Sequence, residues 1–326
     1  MNSGEDKPLI SVLMSVYEPR LDWLEKQLRS LEMQSYPNLR LYIADDGSRQ
    51  VPEESIRRCI GQCIRSIPWS YERSGTNQGS DAAFARLTGR AEGAFFAYCD
   101  QDDEWLPGKL EILYRAISRE GAELACCDMS VIDGTDRTTA HSLTEARRRL
   151  LFRSGEELWR WLWYSNFVSG CAMLVCAGTA RAALPLCPYM HYDHYIALRA
   201  SLSGRIVSVP VPLLRHREHG GNQTGILAGV RDKESYYRLR VENKLKAAVW
   251  LREHLDAPPE LSETLEAAGK WLAARRRYAW GDRSAWAEMW RGRSFSPEST
   301  AFELAAPFLP EGLFRSVISL ARKNRI

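Results

Sequence analysis

The segment 95–105 constrains this chain most, because an apolar run leads directly into a group of carboxylates. Its first five residues are aromatic, small or thiol-bearing, which predicts a buried strand. Four acidic residues follow within five positions: Asp100, Asp102, Asp103 and Glu104. A strand of an α/β sheet that ends in carboxylates places them at the carboxyl edge, where such folds bind ligands.

Carboxylates this close repel one another, so they usually bind a cation. Hard oxygen ligands suit Mg²⁺ or Mn²⁺ carried with phosphates. The alternative is an acidic, solvated loop that caps a helix beginning near Lys109. A single aspartate would favour the cap, whereas a D-x-D-D pattern directly after a buried strand favours the cation site.

The bulk properties are those of an ordinary globular protein with one large domain or two. The chain has 326 residues and a net charge of +3, which gives a nucleic-acid role no support. The polar first residues predict no signal peptide, and no stretch approaches the roughly 18–20 apolar residues of a membrane span. The eight cysteines are scattered, which favours reduced thiols in a cytoplasmic protein.

Strand-like and helix-like segments alternate along the first hundred residues. The predicted strands are 9–16, 39–44, 69–73 and 95–99, and the predicted helices are 22–34, 53–66 and 82–90. This alternation predicts βαβ units and therefore an α/β fold with a mostly parallel central sheet. No G-x-G-x-x-G follows the first strand and no Walker A loop is present, which argues against the usual dinucleotide and P-loop classes.

Carboxylates follow two separate predicted strands, Asp45 and Asp46 after one and the aspartates from Asp100 after another. In a parallel sheet both groups lie at one edge and face one crevice. A nucleotide fits this arrangement, because one carboxylate can accept a hydrogen bond from a base or ribose while another holds a metal on the diphosphate.

Five segments in this order resemble the family 2 glycosyltransferases. They are residues 10–17, 34–38, 44–48, 77–79 and 100–103. The resemblance extends over roughly residues 8–225, about two-thirds of the chain. It implies a Rossmann-like GT-A fold, a nucleotide-diphospho-sugar donor and a divalent metal, Mn²⁺ or Mg²⁺.

The same resemblance implies roles for individual residues. Asp46 looks like the carboxylate that reads the nucleobase, with Tyr17 and Glu18 beside it in the base and ribose pocket. Asp102 looks like the metal-bridging aspartate, with Asp100 contacting the ribose or the metal's shell. The nucleotide-sugar site is expected to comprise Tyr17, Glu18, Asp46, Asn77, Gly79, Asp100, Arg217 and Asn222.

Asp193 precedes an apolar helix predicted over 196–202. One interpretation is an N-cap. The resemblance implies instead the general base of an inverting transferase, which takes a proton from the acceptor hydroxyl. Residues 167–175 and 206–209 read as strands. The resemblance places Gly170 near the acceptor, because glycine permits close approach.

The run 215–222 resembles the R-x-H-x-x-N segment of bacterial rhamnosyltransferases. Both Arg215 and Arg217 could supply its arginine. His219 stands where a third metal ligand or a diphosphate contact is expected, and Asn222 follows at the right spacing. This similarity favours dTDP-rhamnose as donor, with a UDP-hexose as the alternative.

The expected catalytic domain covers residues 1–228, and residues 229–326 form a helical C-terminal region. Its predicted helices are 233–254, 261–290 and 313–326. The second combines arginines with tryptophans, which either reflects helices packed on the catalytic domain or a membrane-surface patch that reaches a lipid-linked acceptor.

The expected function is therefore an inverting, metal-dependent transferase that builds a bacterial surface polysaccharide. Its partners would be a nucleotide-sugar and a glycan or lipid-linked saccharide, on the cytoplasmic face of the inner membrane. Two other classes remain: a catalytically inactive nucleotide-sugar-binding protein, and a nucleic-acid binder that uses the basic aromatic tail.

Overall fold

The computed structural model describes residues 7–147, 150–220, 227 and 229–322. The chain divides into two compact units. The first unit comprises Met1–Leu186 and His191–Gly220, and the second comprises Cys187–Met190 and Gly221–Ile326. The division into functional domains at residue 228 stays a prediction.

The first unit is built on a mixed sheet with nine strands in the described part of the chain. These strands are β1 (Ile10–Val16), β2 (Leu39–Asp45), β3 (Trp69–Arg73), β4 (Phe95–Cys99), β5 (Glu104–Trp105), β6 (Leu124–Ile132), β7 (Thr138–Ala140), β8 (Met173–Cys176) and β9 (Ile206–Arg217). Their order is β3-β2-β1-β4-β8-β6-β9-β5, and β7 pairs with β6. The β1–β4 pairs are parallel, whereas β8 runs antiparallel to β4 and β6. The α/β class is confirmed.

Helices flank this sheet, and several of them bury one apolar face. Those of the first unit are α1 (Leu21–Glu32), α2 (Glu53–Cys63), α3 (Ser80–Arg90), α4 (Lys109–Glu120), α5 (Leu143–Ala146), α6 (Trp159–Leu162), α7 (Ala177–Ala182) and α8 (Tyr192–Ser203). In α1, for example, Leu24, Leu28 and Leu31 recur at helical spacing and are buried. The three early helices lie close to their predicted ranges.

Parallel register brings the candidate residues to one edge. Val16, the last residue of β1, pairs with Asp45 at the end of β2, and Met14 pairs with Cys99 at the end of β4. The segments that begin at Tyr17 and at Asp100 therefore leave the sheet side by side.

Two sequence predictions in the first unit were wrong in extent. The segment predicted as a strand over 167–175 forms a 3₁₀ turn at Gly170–Ala172 before the short strand β8. The strand predicted over 206–209 continues to Arg217, with extra residues opposite Cys127 and Asp128. Prolines 210 and 212 lack an N–H, and the ladder passes them through this bulge instead of ending.

The second unit is helical where it is described. Its helices are α9 (Lys233–Tyr237), α10 (Asn243–His254), α11 (Pro259–Ala279), α12 (Trp286–Arg291), α13 (Pro297–Ala305) and α14 (Glu311–Arg322). A π-helical turn, Arg238–Glu242, joins α9 to α10. The predicted helix 261–290 is interrupted after α11, where Gly281 adopts a φ of 113°. Among the described residues, no helix has the length and apolar character that crossing a membrane requires.

A buried ion pair lies inside the second unit. The Arg275 Nε donates to Glu303 Oε2 over 2.6 Å, and the Tyr236 hydroxyl donates to Glu303 Oε1 over 2.9 Å. Both charged side chains are at most 1% exposed. Removing one partner of such a pair leaves a buried charge without compensation, which destabilises far more than losing a surface pair.

We therefore expect Glu303→Gln, which keeps the side-chain shape, to lower the free energy of unfolding by about 3–5 kcal/mol. Chemical denaturation followed by circular dichroism measures the change. The matched control is Glu266→Gln, which breaks the exposed pair of Glu266 with Lys270. The control should unfold like the parent protein; equal effects of the two substitutions would contradict the role given to the buried pair.

Candidate active site

The acidic loop after β4 is fastened to the end of β9 by the carboxylate of Asp103. Its Oδ1 accepts hydrogen bonds from His216 Nδ1 over 2.9 Å and from the backbone N–H of Arg217 over 3.0 Å. Asp103 is 0% exposed. Burial opposes protonation of His216, but the charge of Asp103 outweighs it and raises the pKa of His216 to about 9. The pair is therefore ionised at neutral pH.

Asp102 and His219 meet at the wall of an open cavity of about 210 Å³. The distance from His219 Nε2 to Asp102 Oδ2 is 2.8 Å. The imidazole also packs against the Trp23 ring, with 4.9 Å between centroids. The other residues that line the cavity are Glu18, Arg20 and Gln101. A carboxylate and an imidazole side by side at an opening can hold a divalent cation together with ligand oxygens.

Two carboxyls of the acidic loop, those of Asp100 and Asp102, bind protons more readily than usual. Burial and the neighbouring charges of Asp103 and Asp102 raise the pKa of Asp100 to about 7. Burial and Asp103 also raise the pKa of Asp102, against the opposing hydrogen bond from His219. Uncompensated negative charge of this kind is relieved by a bound cation, so the electrostatics fit a metal site.

A second group of potential ligands lies deeper. Ligand atoms of Asp103, Cys171 and His216 all lie within 4.8 Å of one another. Burial raises the pKa of the Cys171 thiol well above its usual range. Mg²⁺ and Mn²⁺ prefer oxygen ligands, and this cluster includes a thiol and does not line the cavity. Asp102 and His219 are therefore the better pair for a cation carried on a diphosphate.

Asp46 is placed to hold a loop with one oxygen and leave the other available. Its Oδ2 accepts hydrogen bonds from the N–H groups of Gln78 and Gly79, over 2.9 and 2.6 Å. Its Oδ1 lies 3.5 Å from the Arg86 guanidinium and has no hydrogen-bond partner among the described residues. Asn77, whose Oδ1 accepts from the Gly79 N–H, shapes the same loop. Asn77 and Gly79 thus lie beside Asp46, and their contact with a nucleotide-sugar stays a prediction.

Tyr17 and Glu18 lie next to the acidic loop. The Gln101 side chain bonds the backbone N–H and C=O of Tyr17, over 2.8 and 3.1 Å, and the tyrosine is 42% exposed. The Glu18 carboxylate accepts from the N–H groups of residues 49–51. Burial opposes the effect, but these hydrogen bonds lower the pKa of Glu18. The Glu18 carboxylate is thereby bound to the loop after β2, while Tyr17 stays exposed.

Arg217 differs from the expected contact with a nucleotide-sugar. Its side chain is 0% exposed. Its Nε donates to the Asp102 carbonyl over 2.8 Å, and its terminal nitrogens reach Glu104 and Asp136 over 2.9 and 2.5 Å. A guanidinium enclosed in this way positions the acidic loop and offers no surface to a ligand. Asn222 lies outside the described residues.

Asp193 lies in the first turn of α8 and is not its N-cap, because the helix begins at Tyr192. Its Oδ2 accepts from the N–H of Gly170 over 3.1 Å, and its Oδ1 accepts from the N–H of His194 over 2.6 Å and from Asn166 Nδ2 over 3.3 Å. Burial raises the pKa of Asp193 to about 6, although the His191 charge and these backbone hydrogen bonds oppose the shift. A carboxylate with this pKa can accept a proton near neutral pH.

The Tyr192 phenol lies close enough to both Asp193 and the acidic loop to interact with their charges. After burial, the charges of Asp100 and Asp193 contribute most to raising the pKa of the Tyr192 phenol. A Cβ at Gly170 would lie 1.8 Å from the Tyr192 hydroxyl oxygen, so only glycine fits there without a shift. The Tyr192 side chain therefore requires glycine at position 170, whether or not an acceptor also approaches there.

No individual role was predicted from the sequence for several residues around the acidic loop: Trp23, Gln101, Asp103, Cys171 and His216. Gln101 and Asp103 belong to the acidic motif, and His216 lies in the run 215–222. Their places in these two segments are the sequence signal that could have identified them. Trp23 carries no such signal, because an apolar residue in a helix is ordinarily part of the core.

Solved structures of glycosyltransferases share this fold. TarS of S. aureus, residues 1–349 in complex with UDP-GlcNAc, matches with a TM-score of 0.60 at 14% identity, over 97% of this chain and 92% of that one. The mannosyltransferase PcManGT from Pyrobaculum calidifontis, in complex with GDP-Man and Mn²⁺, matches with a TM-score of 0.59 at 14% identity, over 98% and 87%. The sheet with its flanking helices is therefore that of the GT-A glycosyltransferases.

The sequence comparison gives the family. The model of glycosyl transferase family 2 matches residues 11–177, about half of the chain, and the chain belongs to this family. The putative teichuronic acid biosynthesis glycosyltransferase TuaG of Bacillus subtilis is 31% identical over 114 residues, 32% of this chain and 40% of that protein. An uncharacterized glycosyltransferase of Nostoc is 27% identical over 136 residues, 42% and 41%. The matched regions span about two-fifths of these curated relatives.

Proposed function

We propose that this protein is an inverting, metal-dependent glycosyltransferase. It moves a sugar from a nucleotide-diphospho-sugar to a glycan or lipid-linked acceptor in the synthesis of a bacterial surface polysaccharide. The observation that supports this most is the cavity wall where Asp102 meets His219. The charge of Asp193 acts on the neighbouring Asp100, so the candidate base and the candidate metal residues belong to one group of interacting charges. Family membership makes transfer of a sugar the expected chemistry for such a cluster.

The nucleotide is proposed to bind at the carboxyl ends of β1 and β2. The Asp46 Oδ1, which has no hydrogen bond from the described residues, accepts one from the base, and the exposed ring of Tyr17 lies against the nucleoside. Asp100 contacts the ribose or the metal's shell. Asp102 and His219 hold Mn²⁺ or Mg²⁺, which when bound offsets the charge on the departing diphosphate.

In the proposed reaction, the Asp193 carboxylate takes the proton of an acceptor hydroxyl. That oxygen forms a bond to the anomeric carbon of the donor sugar while the bond from this carbon to the diphosphate oxygen breaks. The nucleotide-diphosphate leaves from the opposite face, so the configuration is inverted. Charge develops on the ring as in other glycosyl transfers.

The donor is proposed to be dTDP-rhamnose, on the similarity of the D-Q-D-D-x-W and R-x-H-x-x-N segments to rhamnosyltransferases. A UDP-hexose is the second candidate, and it draws support from the UDP-GlcNAc bound to TarS. The polysaccharide role is supported by the teichuronic acid description of TuaG. An inactive nucleotide-sugar-binding protein would retain donor binding without turnover.

The first prediction concerns the metal. Donor hydrolysis, measured as nucleotide release across a panel of dTDP-, UDP- and GDP-sugars, should require Mn²⁺ or Mg²⁺ and stop with EDTA. Asp102→Ala should lower the rate by about 10²–10³-fold, as expected for loss of a group that stabilises transition-state charge. Asp256→Ala, which removes an exposed carboxylate of the second unit, is the control. If no donor is cleaved and no free nucleotide binds with or without metal, the enzyme proposal fails.

The second prediction concerns Asp193. A base must be ionised, and a pKa of about 6 means that Asp193 gains a proton as the pH falls through 6. Transfer to an acceptor should therefore fall tenfold per pH unit below that value, and Asp193→Asn should lose about 10²–10⁴-fold while still binding donor. kcat/KM is measured at saturating metal, because a bound cation lowers the pKa of Asp100. A transfer rate independent of pH down to about 5, or an active Asp193→Asn enzyme, would exclude this base.

The third prediction concerns the membrane. We propose that exposed aromatic residues of the second unit contact the inner membrane surface, since Trp286, Trp290 and Phe308 are 55%, 47% and 68% exposed. Sedimentation with anionic vesicles at low salt should capture the protein, and Trp286→Ala with Trp290→Ala should weaken capture. Trp161→Ala, at an exposed tryptophan of the first unit, should not. Absence of vesicle binding by the parent protein would exclude the contact.

A further inference from the structure

The second unit contains a cavity of its own, of about 400 Å³. Its lining combines charged and aromatic side chains with small apolar surface: Asp232, Lys233, Glu234, Tyr237, Ala279, Trp280, Arg283, Pro307 and Glu311. This volume falls within the range of about 300–1,000 Å³ that small-molecule sites occupy. The donor site proposed above lies wholly in the first unit and does not account for this cavity.

The charges of the lining disfavour an anionic ligand. Three carboxylates face two cations. One of those cations, Lys233, is already engaged, because its Nζ donates to the carbonyl oxygens of Pro307 and Leu309. The Arg283 guanidinium donates to the Tyr278 carbonyl over 2.6 Å. Glu311 is paired with Arg315, and Asp232 caps α9. The charged group that remains for a ligand is the Glu234 carboxylate, which disfavours a phosphate or an acidic lipid headgroup.

The polar groups that remain suit a ligand with many hydroxyls. The Glu234 side chain is exposed, and its carboxylate accepts no hydrogen bond from the described residues. Tyr237 is only 4% exposed, yet its hydroxyl has no hydrogen-bond partner among the described residues. An unpaired buried hydroxyl is costly, and a ligand hydroxyl in the cavity would satisfy it.

The aromatic part of the lining suits the apolar face of a sugar ring. Trp280 is 60% exposed at the cavity, although a tryptophan is ordinarily buried. The face of an indole carries partial negative charge, and the axial C–H groups of a pyranose present partial positive charge to it. A platform of this kind beside carboxylates and a phenol matches both surfaces of a saccharide.

We propose that the cavity of the second unit binds a neutral saccharide, with Trp280 under the ring and Glu234 and Tyr237 at its hydroxyls. The ligand class follows from this lining alone. That the saccharide is part of the acceptor rests in addition on the proposed transferase function.

Saturation-transfer-difference NMR on the full chain tests the inference. The probes are the methyl glycosides of glucose, galactose, mannose, rhamnose and N-acetylglucosamine, with EDTA present and nucleotide absent so that the donor site contributes little. At least one glycoside should receive saturation on its ring protons. Trp280→Ala should weaken its affinity about tenfold, through loss of the stacking surface.

The controls separate this site from the others. Trp161→Ala removes a tryptophan of the first unit that is 52% exposed and does not line the cavity, and it should leave glycoside binding unchanged. Inorganic phosphate should not compete. Absence of saturation transfer for every glycoside, an unchanged affinity in Trp280→Ala, or displacement by phosphate would each overturn the inference. Donor hydrolysis that depends on Asp102 needs no acceptor, so the two proposals can fail separately.

Discussion

The candidate active site depends on one buried carboxylate. Asp103 bonds the His216 ring and the N–H of Arg217, and so joins the loop after β4 to the end of β9. Asp103 is 113 positions from His216 and 114 positions from Arg217 in the sequence. A charge with 0% exposure is tolerated only when it is paired and hydrogen-bonded, and the protonated His216 supplies the pairing. The approach of His219 to Asp102 follows from this connection, because His219 lies just beyond the residues that Asp103 holds.

Arg217 completes the connection from the other side. Its guanidinium bonds the Asp102 carbonyl and the carboxylates of Glu104 and Asp136, so it fixes the loop's backbone and neutralises two acids. The planar fork of arginine can reach several acceptors at once, which an ammonium cannot do with the same geometry. Arg217, which the sequence predicted as a ligand contact, thus holds the candidate cation-binding residues in place, and its burial is the physical sign of that role.

The sequence predicted the edge of the sheet where the site lies, because parallel strands end together and their trailing carboxylates must meet. Strand position alone could not separate Asp45 from Asp46, and only the family resemblance pointed to Asp46. Asp45 is enclosed by Tyr71 and Arg73, while Asp46 keeps one oxygen without a hydrogen bond among the described residues. That difference depends on loops distant in sequence. For the same reason the length of β9 was missed, since a proline usually ends a strand unless a bulge and a partner strand carry the ladder past it.

The acidic cluster also links cation binding to protons. Burial and mutual repulsion raise the pKa of Asp100 and of Asp102, so protons compete for the oxygens that a cation would use. The negative charge of Asp193 further raises the pKa of Asp100, and a cation near Asp102 would offset this negative charge. Carboxylates that repel one another in the free protein are therefore a prepared site for positive charge. The structure maintains this unfavourable arrangement through buried contacts elsewhere, chiefly the ion pair of Asp103 with His216, which keeps the repelling groups from moving apart.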